Sequence, residues 1–284
     1  MLTFPCAKIN LGLNVTSERP DGYHDIETVF YPIPLTDVIE IKHMDPSFPH
    51  TNNCDLKVTF DPSIGTTAIG NGADNLVVKA YNLLERDFTL PPIHAHLYKR
   101  IPSQAGLGGG SSDGAFMIRL LDERFRLNIG IAEMERYAAE LGSDCPFFIS
   151  AEPSFATGRG EVLEPADSPR GNLEGYFIGI VKPVIAVSTR EAYQQIQCRQ
   201  PEKSCRAIVR QPIDTWREEL INDFEAPVFR THPELQQIKD RLYSLGAVYA
   251  AMSGSGSALF GIFRKAPQEF AALFPGCFTF SSAL

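Results

Sequence analysis

The sequence predicts two lobes with a shared cleft, built from mixed strands and helices around one glycine loop. Three observations carry that prediction. The chain has 284 residues, more than one hydrophobic core ordinarily organises. Residues 102–115 read Pro-Ser-Gln-Ala-Gly-Leu-Gly-Gly-Gly-Ser-Ser-Asp-Gly-Ala, with glycines at 106, 108, 109 and 110. Before them, Ile93 to Ile101 mixes β-branched, aromatic and polar residues as a strand does. After them, Met117, Leu120, Leu121 and Phe125 recur at helical spacing.

The predicted order is therefore strand, glycine loop, helix. Glycines allow positive φ and let backbone approach a ligand closely. The free N–H groups and positive dipole end of a helix favour an anion. Ser111, Ser112 and Asp113 suit the helix start, as caps or first-turn residues. A tight turn with a serine cap is the simpler alternative. The glycine cluster beside two hydroxyls favours a phosphate cradle over it. The cradle is not a Walker A motif, because no Gly-Lys-Ser/Thr follows, and it does not match the dinucleotide fingerprint.

Composition narrows the partners. Net charge is −8 and no basic patch is visible, which excludes nucleic acid as an expected partner. No apolar run approaches the roughly 20 residues that span a bilayer, so no membrane partner is expected. The first ten residues lack a basic region followed by an apolar core, so no signal peptide is expected there. Six cysteines are dispersed without Cys-x-x-Cys pairs, and reduced thiols in a cytoplasmic setting are the expectation.

In chain order, Ile9, Leu11, Leu13 and Val15 alternate as in a half-buried strand, with Lys8, Asn10, Gly12 and Asn14 on the other face. Lys8 reads as a solvated strand lysine or as part of a polar cleft. Arg19-Pro-Asp-Gly-Tyr-His24 is turn chemistry with Tyr23 and His24 at its tip, where an aromatic and an imidazole can meet a flat ligand. Residues 26–42 and 54–60 read as strands, with Pro32 and Pro34 marking an edge or a break. Residues 43–53 and 61–73 read as loops, and Asn75 to Asp87 as a helix. His94 and His96 share a strand face, but no third ligand lies nearby, so a metal pair is not expected.

Ile131 to Leu141 reads as a helix stopped by Gly142. Asp144 follows, beside Pro146, either as a turn former or as a desolvated base. Gly158-Arg-Gly-Glu161 is a glycine-flanked turn whose Arg159 reaches a phosphate or faces solvent. Residues 176–187 read as two strands broken at Lys182-Pro183. Ser188-Thr-Arg-Glu191 caps a helix, and 198–212 is a connection without chemistry. Asn222 to Glu225 opens a helical stretch, and Pro233 to Leu245 is an amphipathic helix ended by Gly246. The small residues Ser253-Gly-Ser-Gly256 then permit close backbone approach beside the first glycine loop.

Taken together these stretches resemble the GHMP small-molecule kinase superfamily, whose signature is Pro-x-x-x-Gly-Leu-Gly followed by small residues and serines. Six motifs carry the resemblance in the family's order: Ala7 to Leu11, Arg19 to His24, Gly106 to Ser112, Gly142 to Pro146, Gly158 to Glu161 and Ser253 to Gly256. The resemblance implies an α+β fold of two lobes with the active site in the cleft between them. It divides the chain into an ATP-binding lobe, 1–155, and a C-terminal lobe, 156–284. Within the superfamily the motifs resemble the branch that phosphorylates the tertiary 2-hydroxyl of a cytidine-diphosphate-linked methylerythritol, with ATP as donor and Mg²⁺ shielding its phosphates.

By that resemblance Asp144 falls on the catalytic base and Lys8 on the lysine that pairs with it. Pro102, Ser103, Gln104, Ala105, Gly106, Leu107, Gly108, Gly109, Gly110, Ser111 and Ser112 fall on the ATP phosphate loop, and Lys99 on a lysine near the nucleotide. Asn10, Tyr23, His24 and Thr189 fall on substrate contacts, Tyr23 and His24 near the cytidine. Ser111, Ser112 and Asp113 are all candidate metal ligands. Ser103-Gln104 and Gly114 depart from the family pattern. Other acceptors in the superfamily are homoserine, mevalonate and sugars, but those branches do not generally carry Pro20-Asp-Gly-Tyr-His24. A non-catalytic nucleotide-binding protein would need neither Lys8 nor Asp144.

Overall fold

The computed structural model describes residues 1–45, 47–64, 72–166 and 172–284. Most of the loop expected at 61–73 lies outside the described residues. The chain mixes helices and strands, as an α+β fold does. Its first strands are β1 (Leu2–Thr3), β2 (Cys6–Glu18), β3 (His24–Thr36), β4 (Val38–His43) and β5 (Cys54–Phe60). Helix α1 (Leu76–Glu85), strand β6 (Ile93–Lys99) and helices α2 (Gly109–Phe125), α3 (Ile131–Leu141) and α4 (Phe147–Ser150) follow. Next come β7 (Ser154–Thr157), β8 (Val162–Pro165), β9 (Phe177–Lys182), α5 (Thr189–Gln194), α6 (Cys205–Ile208) and α7 (Trp216–Glu219). Helices α8 (Glu225–Thr231) and α9 (Pro233–Ser244) precede β10 (Ala247–Met252), β11 (Leu259–Phe263) and β12 (Phe278–Ala283).

These elements form two compact units, neither of them continuous in sequence. The first takes residues 1–7, 35–103 and 108–151, and the second takes 8–34, 104–107 and 152–284. Against the single cut expected near 155, the chain changes unit repeatedly, for the last time after Ala151.

In the first unit the sheet order is β1-β4-β6-β5, antiparallel except for the parallel pair β5 and β6. Parallel neighbours need a crossover, and α1 lies between them in sequence. Asn75 starts that helix by accepting the Val77 N–H at 2.9 Å. Gly114 explains one departure from the family pattern: a Cβ there would stand 3.1 Å from Leu76 Cβ and 3.2 Å from Leu141 Cδ1. His94 and His96 do not act together. His94 Nδ1 meets Asp55 at 2.8 Å and His96 Nε2 meets Thr59 at 2.7 Å.

The second unit holds two sheets, β2-β3-β7-β8 and β10-β11-β9-β12. Leu13, Val15, Val181, Phe224, Met252, Leu259 and Phe263 belong to its core. Strand β2 is buried on both faces rather than half-buried, with Lys8 and Asn10 at 4% and 1% exposure. Its polar face is closed by hydrogen-bond partners instead of water. Strand β3 runs unbroken through Pro32 and Pro34, and its pairing with β7, at Thr28–Phe30, ends before them. The second strand expected after Lys182-Pro183 does not form. Pro183 has no N–H to extend the ladder, and the Lys182 ammonium turns back onto the Pro183 and Ile185 carbonyls at 2.7 and 3.0 Å. Among the described residues no helix is long and apolar enough to cross a membrane, and none of the six cysteines forms a disulfide.

Candidate active site

In the first unit the glycine loop enters α2 through Gly108, whose φ is 70° and which supplies no side-chain cap. The helix begins at Gly109, so of the two expected places, cap or first turn, Ser111 and Ser112 take the first turn. The first hydrogen bond, Ser112 N–H to Gly108 O at 2.9 Å, leaves the N–H groups of Gly109, Gly110 and Ser111 without an intrahelical acceptor. Gly110 faces open space. A 17-residue helix directs its positive end there. The geometry is that of an anion cradle.

Beneath it lies a buried triad of Lys99, Asp37 and Asp113. Lys99 Nζ donates to Asp37 Oδ2 and to Asp113 Oδ2, the latter at 2.7 Å, and Lys99 is 2% exposed. Asp37 Oδ1 accepts the N–H groups of Arg100 and Ile101 at 2.5 and 2.8 Å. The triad thus ties the end of β6, where the loop leaves, to the second turn of α2, where it arrives. A Cβ on Gly109 would stand 2.9 Å from Ile101 Cγ2 and 3.4 Å from Lys99 Nζ. Lys99 therefore lies under the loop with its bonds directed to Asp37 and Asp113. Burial alone would lower its pKa, but Asp113 and Asp37 outweigh burial and hold the ammonium above its ordinary value. Burial pushes Asp113 up to about 8 against the pull of Lys99.

Residues 104–107 belong to the second unit, where a second glycine-serine loop meets them. Ser253 Oγ donates to Gly106 O at 2.8 Å, and Ala258 N–H donates to Ala105 O at 3.1 Å. Lys8 N–H reaches Leu107 O at 3.0 Å. Asn222 steadies the second loop from below, its Nδ2 donating to Met252 O and Gly254 O at 2.8 Å each. The expected neighbourhood of the two loops is present.

The polar face of β2 carries a directed chain of bonds. Lys8 Nζ donates to Asn10 Oδ1 at 2.6 Å, Asn10 Nδ2 to Thr28 Oγ1 at 3.0 Å, and Thr28 Oγ1 to Gly12 O at 2.5 Å. The Lys8 ammonium also lies 4.7 Å from the centre of the Phe30 ring. Lys8 is not a solvated strand lysine.

Tyr23 and His24 stand at the turn between β2 and β3, which Asp21 shapes by accepting the Tyr23 N–H at 3.0 Å. His24 stacks on Tyr193, ring centres 4.8 Å apart at 26°. Thr189, at the start of α5, meets Ser255 Oγ at 2.8 Å, and Ser188 caps the helix as expected by accepting the Glu191 N–H at 3.3 Å. Thr189 and Tyr193 are four residues apart and share one helix face. Tyr193 went unread in the sequence, although that spacing from Thr189 was its signal.

Asp144 is half-buried in the turn between α3 and α4. Cys145 N–H closes that turn on Gly142 O at 3.1 Å. Burial pushes the Cys145 thiol up to about 12, and the nearby Ser111 side chain pulls it the other way. A second group also escaped sequence reading. Glu27 Oε1 accepts Asn14 Nδ2 at 3.2 Å and Cys205 N–H at 2.7 Å, and Asn14 Nδ2 lies 3.1 Å from Cys205 Sγ. No local signal links positions 178 residues apart.

These features are those of a GHMP-type small-molecule kinase, and the family comparisons agree. GHMP kinases N terminal domain matches residues 75–152, and GHMP kinases C terminal matches 206–275. A 4-diphosphocytidyl-2-C-methyl-D-erythritol kinase of Bacteroides fragilis strain YCH46 is 49% identical over 100% of both chains. One of Bacteroides thetaiotaomicron is 52% identical over 93% of this chain and 92% of its own. A crystal structure of 4-(cytidine 5'-diphospho)-2C-methyl-D-erythritol kinase superposes with a TM-score of 0.77 at 29% identity, covering 99% of this chain and 98% of that one. The Methanococcus jannaschii mevalonate kinase, at 13% identity and TM-score 0.69, covering 99% and 97%, shares the fold. The chain belongs to the 4-diphosphocytidyl-2-C-methyl-D-erythritol kinase family of the GHMP kinases.

Proposed function

We propose that this chain transfers the terminal phosphoryl group of ATP to the 2-hydroxyl of 4-diphosphocytidyl-2-C-methyl-D-erythritol, giving the 2-phosphate and ADP in the non-mevalonate isoprenoid pathway. The observation that carries the reading is the end-to-end likeness to kinases of that name. The geometry supports it through the uncapped N-terminus of α2, the buried Lys8–Asn10–Thr28 row and the His24–Tyr193 stack.

Phosphoryl transfer needs positioning and charge stabilisation more than covalent help from the protein. In this reading the free N–H groups of Gly109, Gly110 and Ser111 bind phosphate oxygens. The triad of Asp37, Lys99 and Asp113 holds both ends of the loop, so Lys99 supports the nucleotide site from beneath. Asp144 accepts the proton of the attacking 2-hydroxyl. Lys8, directed by Asn10, offers positive charge to the oxygen that loses it. Tyr23, His24 and Tyr193 receive the cytosine, with Thr189 beside them.

Mg²⁺ fits the residues present. Among the described residues Ser112 Oγ and Asp113 Oδ1 are buried without a hydrogen-bond partner, and both are hard oxygen donors. Ser112 is the residue proposed to hold the ion along with phosphate oxygens, where Mg²⁺ would neutralise phosphate charge.

The test is ATP-dependent ADP release by the full chain, comparing 4-diphosphocytidyl-2-C-methyl-D-erythritol with homoserine, mevalonate and galactose. Turnover with the cytidylyl acceptor alone is expected. Turnover with another acceptor instead would overturn the assignment of Tyr23, His24 and Tyr193. ATP binding with no turnover would favour a binding protein.

A further inference from the structure

The turn Gly158-Arg-Gly-Glu161 joins β7 to β8, and its shape depends on glycine. Gly158 and Gly160 hold φ of 66° and 109°, a region side chains rarely adopt. Gly160 N–H closes on Thr157 O at 3.0 Å, and Glu161 folds back to accept the Arg159 N–H at 2.6 Å. Ile26 N–H donates to Gly158 O at 2.7 Å, which fastens the turn to β3 two residues beyond His24. Arg159 is thereby delivered over Tyr23, its guanidinium carbon 4.7 Å from the ring centre.

Tyr23 and His24 are neighbours in sequence, yet each ring is held from a different element. Tyr193 of α5 stacks on His24, and Arg159 of the β7–β8 turn stacks on Tyr23. Tyr23 is 57% exposed, and a ring so open loses torsional freedom when a ligand stacks on it. A planar cation already resting on one face removes part of that loss and leaves the other face as the stacking surface.

We propose that Arg159 is a positioning residue for the base-bearing end of the acceptor: it backs the Tyr23 ring and presents the opposite face to the pyrimidine. The inference rests on the nucleotide-acceptor reading above and adds to it a residue that acts through Tyr23.

The test compares the full-length parent with Arg159→Gln, Arg159→Lys, Tyr23→Ala and the Arg159→Gln/Tyr23→Ala pair. It measures KM for acceptor and for ATP, together with calorimetric binding of cytidine and of cytidine 5′-monophosphate. Arg159→Gln is expected to raise the acceptor KM and weaken both cytidine ligands about three- to fivefold. The ATP KM and kcat should stay within about twofold. Arg159→Lys should recover part of the loss, and Arg159→Gln should add nothing in the Tyr23→Ala background. An unchanged acceptor KM, a loss confined to the charged ligand, or additive losses in the pair would each overturn the proposal. Cytidine binding tests Arg159 even in a parent that turns over no acceptor, so failure of the kinase reading and failure of this one are told apart.

Discussion

Gly106 and Ser253 meet backbone to backbone: a Cβ on Gly106, whose φ is 73°, would stand 1.9 Å from the Ser253 carbonyl oxygen. Neither atom is at the end of a flexible side chain, so one loop must leave the other before any larger residue fits. Gly106→Ala is expected to cost about 3 kcal/mol of stability, from positive φ and the clash together. Gly110→Ala is the control, since that Cβ meets nothing within 4 Å and alanine is the better helix former. Thermal melts of the two variants check this, and equal melting temperatures would contradict the account of Gly106.

Asp144→Asn keeps shape and removes the proton acceptor. Turnover with the cytidylyl acceptor should fall about 10²–10⁴-fold while ATP binding, followed by calorimetry, remains close to the parent's. Near-parental turnover would take Asp144 out of the base role.

Removal of the ring that stacks on His24 should be felt at the acceptor and not at the nucleotide. Tyr193→Ala is expected to raise the acceptor KM about tenfold, from the loss of an aromatic contact of about 1.4 kcal/mol. Tyr193→Phe, which keeps the ring, should behave like the parent, and the ATP KM should not move in either. A shift in ATP KM equal to that for the acceptor would point to general disruption of the site.

Asp113 gives the fold a pH dependence whose sign follows from its raised pKa. Unfolded, its carboxyl titrates near the ordinary aspartate value; folded, burial carries it to about 8. The native state therefore holds a proton that the unfolded chain releases. This group's contribution to stability is full below about pH 4 and is lost as pH rises through about 8. Asparagine does not titrate. The melting temperature of Asp113→Asn relative to the parent should thus move in the variant's favour between those pH values. A constant difference across the range would contradict a raised Asp113.

Much of this was legible in sequence where the signal is local. The bounds of α3, the Ser188 cap and the strand–loop–helix order follow from periodicity and capping, which depend on residues a few positions apart. What escaped depends on distant partners. Lys99 reads as a strand lysine until Asp37 and Asp113 are placed on it, 62 and 14 residues away. The burial of both faces of β2 was hidden for the same reason, because polar residues at alternate positions look alike whether water or Thr28 satisfies them. The sequence left Ser111 and Ser112 as caps or first-turn residues, and the choice falls to the first turn because Gly108 adopts the left-handed entry that starts the helix ahead of them.

The interleaving of the two units has a consequence for synthesis. Every segment of the first unit, 1–7, 35–103 and 108–151, has been made once the ribosome passes Ala151. The second unit includes 8–34 and 104–107, but its remaining sheet strands and helices come from 152–284. One unit is thus able to close during translation while 8–34 and 104–107, including the strand that bears Lys8 and Asn10, wait for partners of their own unit not yet made. Those early segments are the ones most exposed to chaperones and proteases in a nascent chain that stalls past its midpoint.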